Sequence, residues 1–248
     1  MITIGISTYQ GRFESLKKLV TSIRKDLSND IIISVNGMPG EQMNEQYRSE
    51  LLKFCSQYHS IYLIMFPEMR ALSKLWNEMI VHSRTEFIYI LNDDVEFNNP
   101  TVIKVIEVAM LVEGLFMCPA NSWSHFVISK RMAHELGYFD ERLLGIGEED
   151  GDIEWRFMKM FGYKVKGFDC EGIWNKGEYE NVNEKLDTHV NNKASFNREF
   201  IYNNKYLPSP DGIQAMFDYA MIQNLSCDNA TQYPYEVFFK ENKQRLLK

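Results

Sequence analysis

Phe87-Ile88-Tyr89-Ile90-Leu91-Asn92-Asp93-Asp94-Val95 is the stretch on which the reading of the fold turns. Its five leading apolar residues are too few for a helix and rich in β-branched and aromatic types, so they read as a strand covered on both faces. The run stops abruptly at two adjacent carboxylates. Upstream, Leu72, Leu75, Trp76, Met79 and Ile80 recur at helical spacing, and residues 61–65 form another short apolar run. The same alternation reaches back to the start of the chain, with strands expected at 2–6 and 31–35 and helices at 13–27 and 43–58. Strands alternating with helices imply an α/β architecture with a largely parallel sheet covered on both faces. In such sheets ligands sit beyond the carboxyl ends of the strands. Three segments are therefore expected to converge: Ser7 to Gly11, Asn36 to Gly40, and Asn92 to Asp94.

Downstream of the acidic pair the alternation loosens. Helices are expected at 101–111, at 129–136 and, following Gly147-Glu148-Glu149-Asp150, up to Phe161, and strands at 115–118 and 163–168. Pro208 and Pro210 mark a boundary. The reading is a main domain over 1–206 and a small appendage over 207–248, helical near 212–223.

The chain has 248 residues, 45% hydrophobic and 13% aromatic, enough to bury the core of one large domain. Its 34 acids against 27 Lys and Arg give a formal charge of −7, which argues against a dedicated nucleic-acid binder. The surplus is local: residues 140–154 hold seven acids and one base, Arg142. No run approaches the roughly 20 apolar residues of a membrane span, and residues 1–6 read as a strand and not as a signal peptide. Cys55, Cys118, Cys170 and Cys227 lie far apart, as reduced thiols in a cytoplasmic protein would.

Two acidic clusters carry the chemistry. Asp93 and Asp94 repel each other, and a divalent cation with a taste for oxygen ligands, Mg²⁺ or Mn²⁺, would remove that cost. A strand terminator with solvated acids explains the same dipeptide. Glu148-Glu149-Asp150-Gly151-Asp152 opens a helix; it serves either as a cap, with an Asp152–Arg156 pair at helical spacing, or as the seat of a general base, because crowded carboxylates raise one another's pKa. His189 lies in a polar stretch and on spacing alone would be an exposed histidine.

Together these pieces resemble a family. The strand end Ile6-Ser7-Thr8-Tyr9-Gln10, the Trp76-Asn77 helix, Leu91-Asn92-Asp93-Asp94-Val95, and Gly137-Tyr138-Phe139-Asp140-Glu141 followed by Gly147 to Asp152 are similar to family two of the inverting glycosyltransferases, which have the GT-A fold. Residues 1 to about 200 follow the family's order. The resemblance implies a Rossmann-like mixed sheet flanked by helices, a nucleotide-sugar donor (UDP-, dTDP- or GDP-sugar) and a bound Mn²⁺ or Mg²⁺. It implies Asp94 and His189 as metal ligands and Asp150 as catalytic base. Ser7, Thr8, Tyr9, Asn36, Arg70, Asn92 and Asp93 fall on the donor side, and Glu149 and Trp123 on the acceptor side. The acceptor would be a hydroxyl of a glycan or lipid-linked glycan, as in polysaccharide biosynthesis.

The chain departs from the family pattern at Gln10, Asn92 and Asn36, where the family usually has Asn, Asp and a base-reading Asp. The last departure leaves the donor's base open. Among rivals, a sugar nucleotidyltransferase would want a Gly-rich basic loop after the first strand, where Ser7 to Arg12 offers one Gly and one Arg. A dinucleotide-binding oxidoreductase would want Gly-x-Gly-x-x-Gly there. A catalytically inactive nucleotide- or glycan-binding module on the same fold is the non-enzymatic alternative. The tail over 237–248 mixes Phe238, Phe239, Leu246 and Leu247 with four bases, so it reads either as a solvated helix end or as a peripheral contact with the inner face of a membrane.

Overall fold

A computed structural model describes residues 1–38, 41–141, 143, 145–175 and 194–198. The described residues fall into two compact units: those within 1–70, 75–130 and 166–175 form the first, and those within 71–74, 131–165 and 194–198 the second. The expected appendage over 207–248, its boundary near 206 and the tail over 237–248 lie outside the described residues.

The first unit is built on a seven-stranded mixed sheet. Its strands are β1 (Thr3–Tyr9), β2 (Ile31–Asn36), β3 (Ile61–Phe66), β4 (Phe87–Asn92), β6 (Phe116–Pro119), β7 (His125–Ser129) and β8 (Lys166–Phe168). They lie in the order β3-β2-β1-β4-β7-β6-β8. The first four are mutually parallel, as the alternation predicts. β7 runs antiparallel to both β4 and β6, while β6 and β8 are parallel. A short ribbon pairs β5 (Val95–Phe97) with β9 (Ile173–Asn175). β5, β7 and β9 are absent from the sequence reading. His125-Phe126-Val127-Ile128-Ser129 is too short to announce its period, and its place beside β4 comes from long-range pairing.

Period-two alternation divides the sheet. Ile4, Ile6, Ile31, Ile33 and Val35 point into a core with α1 (Phe13–Arg24), whose Leu16, Leu19, Val20 and Ile23 make the expected buried stripe. Leu51 and Cys55 of α2 (Glu45–Cys55) and Ile103, Ile106 and Met110 of α4 (Val102–Glu113) join the same cluster. On the other face Gly5 meets α3 (Leu72–His82): a Cβ there would stand 3.1 Å from the Met79 sulfur and 3.2 Å from Ile88. A Cβ here would make the Met79 and Ile88 side chains give by a few tenths of an ångström, so glycine suits the close approach of the helix to β1. α2 is shorter than the expected 43–58: it begins after Asn44, whose side chain caps it by accepting from Gln46 and Tyr47 N–H.

The second unit holds α5 (Lys130–Leu136, from Arg131 onward) and α6 (Glu149–Phe161). Arg156 of α6 donates to Asp152 at 2.7 and 3.1 Å and to the Leu136 carbonyl, so a buried ion pair ties α6 to the end of α5. None of the described helices is long and apolar enough to cross a membrane.

Candidate active site

Strand order places the site. β1 is flanked by β2 on one side and β4 on the other, so the connections leave it in opposite directions and open a crevice at its carboxyl end. Parallel register brings the three expected segments together there: Tyr9 pairs with Asn36, and Ser7 with Asn92. Asp93 and Asp94 form the turn between β4 and β5, and the β5–β9 ribbon anchors its far side.

The Asp93 side chain is only 7% exposed and accepts a 2.6 Å hydrogen bond from the Thr8 hydroxyl. Burial pushes its pKa up to about 7, against the lowering influence of Arg12 and of the Thr8 bond. The Arg12 guanidinium spans the pair. Its Nε lies 2.8 Å from Asp93 Oδ1, as an ion pair without the alignment of a hydrogen bond, and an Nη lies 3.1 Å from Asp94 Oδ2. Burial pulls the guanidinium down, but the charges of Asp93 and Asp94 more than offset this and hold it above its ordinary value. The other oxygen of Asp94, Oδ1, is buried without a hydrogen-bond partner among the described residues. A buried orphan oxygen beside a second carboxylate is what an oxygen-loving dication would complete, so the residues present fit such a group. Among the described residues no three acids, histidines or cysteines gather as a ready metal cluster, and His189 lies outside them.

The other residues expected on the donor side are placed as follows. Ser7 is buried and its hydroxyl points to the Leu91 carbonyl and the Asn92 side chain, each at 3.4 Å. Tyr9 is half-buried and packs over Gly11, whose Cβ position lies 2.8 Å from the ring. Asn36 clasps the backbone of Arg70: its amide donates to the Arg70 carbonyl and its oxygen accepts the Arg70 N–H, both at 2.9 Å. The carbonyl oxygen of Asn36 is thus spent on holding a loop, and the exposed Arg70 guanidinium stands off Glu68 at 3.9 Å. Trp123 is half-buried, with its indole packed edgewise on Phe116 and tilted on Phe126.

In the second unit the acidic run resolves into distinct roles. Asp152 is the structural partner of Arg156, as the helical spacing allows. Glu148 pairs with Arg198, and Asn197 donates to the Gly147 carbonyl at 2.7 Å, so the loop ahead of α6 is clasped from residues 194–198. The Glu149 carboxylate folds back onto the Gly147 N–H at 2.7 and 2.9 Å, and burial pushes its pKa up to about 8. Asp150 is half-exposed, and among the described residues its side chain accepts only from the neighbouring Gly151 N–H. It is the acid of the Glu-Glu-Asp run left available to a ligand.

Arg12 is the site residue that sequence reasoning passed over. A signal existed: it is the first cation in the chain, one turn beyond the polar end of β1.

No protein-family model matches the chain, and no curated protein matches it by sequence. Solved structures do match. The mannosyltransferase PcManGT from Pyrobaculum calidifontis, in complex with GDP-Man and Mn²⁺, is similar over 98% of this chain and 75% of its own, at 11% identity and a TM-score of 0.59. TarS from S. aureus, as its 1–349 portion, is similar over 91% of this chain and 81% of its own, at 10% identity and a TM-score of 0.54. In a further TarS structure the match spans 36% of the relative's length. Glucosyl-3-phosphoglycerate synthase from Mycobacterium tuberculosis, in complex with Mn²⁺, UDP and glucosyl-3-phosphoglycerate, is similar over 75% of each chain, at 8% identity and a TM-score of 0.52. Likeness at these identities is likeness of fold, and the fold is GT-A: a mixed Rossmann-like sheet flanked by helices.

Proposed function

We propose that the chain is a nucleotide-sugar-dependent glycosyltransferase of the inverting kind. The observation that carries this reading is the Asp93–Asp94 turn at the crevice beside β1, with one oxygen buried and unbonded. The similar structures hold GDP-Man with Mn²⁺, UDP-GlcNAc, and UDP with Mn²⁺, which supports a sugar nucleotide and a divalent cation here. Asp94, with His189, would hold the Mn²⁺ or Mg²⁺; when bound, it supplies positive charge to the departing diphosphate. Ser7, Thr8, Tyr9, Asn36, Arg70, Asn92 and Asp93 would line the donor's nucleotide.

The reaction is a single in-line displacement. The acceptor hydroxyl oxygen bonds to the anomeric carbon as the bond from that carbon to the diphosphate oxygen breaks, and the hydroxyl proton passes to Asp150. Asp150 suits the task because it is half-exposed and only loosely tied, whereas Asp152 and Glu148 are engaged by arginines. Glu149, which shapes the loop, and Trp123, an aromatic face for a sugar, would stand on the acceptor side. The acceptor is a glycan or lipid-linked glycan, and the working place is the cytoplasm or the inner face of a membrane reached through 237–248. Slow hydrolysis of UDP-, dTDP- or GDP-sugars by the purified chain, measured with and without Mn²⁺, tests the reading. Mn²⁺-stimulated release of nucleoside diphosphate is expected, and a chain that binds these donors without turnover is a binding module instead.

A further inference from the structure

Arg12 sits where the charge of a metal is wanted. Two carboxylates at one turn carry up to two negative charges, and the single guanidinium across them supplies one positive charge. An arginine side chain does not give up its proton in a protein. A dication arriving at Asp94 therefore meets a fixed positive charge already on the same carboxylates, and the two cannot share them without repulsion.

The two sides of this contact differ in freedom. The carboxylates end a buried central strand, and Asp93 is pinned by the 2.6 Å bond from Thr8. Arg12 closes a three-residue 3-10 turn, Gln10–Arg12, that buries none of its residues, and its side chain is 24% exposed. The arginine is the partner free to leave.

Resting on the donor-site reading above, we infer that Arg12 is an internal counter-cation that holds the Asp93–Asp94 pair in the metal-free protein and yields Asp94 to the divalent cation. Displacement costs the metal part of its binding energy. It also leaves the released guanidinium uncompensated until an anion arrives, and the donor's diphosphate is that anion. Arg12 thereby couples the two ligands: the metal binds poorly alone and well with nucleoside diphosphate, and by linkage each raises the other's affinity by the same factor. Removing the arginine should relieve the competition and weaken the coupling together.

The test titrates Mn²⁺ alone into wild type and Arg12→Gln, following free Mn²⁺ by its electron paramagnetic resonance signal, then repeats both titrations in excess UDP and in excess GDP. Mn²⁺ alone should bind Arg12→Gln about tenfold tighter or more, within the usual range of about 5- to 150-fold for coupled sites. The gain in Mn²⁺ affinity from the nucleotide should be smaller in the variant than in wild type. Should Arg12→Gln fail to fold, Arg12→Lys keeps the charge but loses the fork that spans two carboxylates, and it should show the same changes at reduced size. Equal or weaker binding of Mn²⁺ alone by the arginine variants, with nucleotide-assisted binding intact in wild type, overturns the counter-cation role and leaves the donor site standing. Absence of Mn²⁺ binding to wild type under every condition, with Asp94→Ala indistinguishable from it, overturns both.

Discussion

Asp93, Asp94, Asp150 and Glu149 are four carboxylates of one sequence whose surroundings assign them different work. Asp150 is half-exposed with one local hydrogen bond. Its replacement by Asn keeps the shape and removes the basicity, so Asp150→Asn should lower transfer by about 10²- to 10⁴-fold while nucleotide affinity stays within about twofold. Steady-state kinetics alongside calorimetry check this, and unchanged turnover would remove Asp150 from the base role. Glu149 is buried and folded back on Gly147 N–H, with its pKa raised from 4.5 to about 8. A raised folded-state value means that the native protein holds a proton the unfolded chain has released. The associated stability is present below about pH 4.5 and is lost as the pH climbs through about 8. Over that window the group contributes a slope of about 1.4 kcal/mol per pH unit at most. Urea midpoints of wild type and Glu149→Gln, compared from pH 5 to 8, should converge at the acid end and separate toward pH 8, with Gln the more stable. Parallel curves would show that Glu149 ionises normally.

Among the elements, the loop ahead of α6 has a geometry that tolerates little change. Gly147 has φ +124°, Glu148 follows at +76°, and a Cβ on Gly147 would stand 2.7 Å from the Ala194 Cβ and 2.9 Å from its Cα. The Gly-Glu-Glu-Asp motif therefore carries a backbone requirement as well as acids. Gly147→Ala should cost about 2–3 kcal/mol, from left-handed strain together with the overlap on Ala194. Because the Glu149 and Asn197 contacts converge on Gly147, the variant should also lose activity under conditions where it is still folded. Equilibrium urea unfolding measures the cost, and a change under about 0.5 kcal/mol would mean that the loop has another conformation open to it. β7 teaches a complementary lesson. Its five buried residues do not announce a strand, because local pattern does not say which neighbour a short apolar run will pair with; β4 and β6 decide that by accepting it antiparallel between them.

For the molecule as a whole, ligand binding should appear as stability. A ligand that binds only the folded chain adds about 2.7 kcal/mol at a hundred times its dissociation constant. Thermal unfolding in the presence of UDP, dTDP, GDP and ADP, each with Mn²⁺, should show a selective rise for one base that chelation of the metal abolishes. Equal small shifts for all four would point to phosphate contact without base reading. The asparagine at position 36 makes this measurement decisive, since its carbonyl oxygen is committed to the Arg70 backbone and its amide is also drawn there. By itself the sequence determined the alternation of the first four strands and their helices, the buried stripe of α1 and the two acidic segments, because each is written in local period or composition. Only the tertiary structure decided that β7 enters the sheet antiparallel, that Glu148 meets Arg198 while Asp150 is left available, and that Arg12 lies across Asp93 and Asp94. Those outcomes depend on which side chains meet across long stretches of chain, and burial then sets what each meeting is worth.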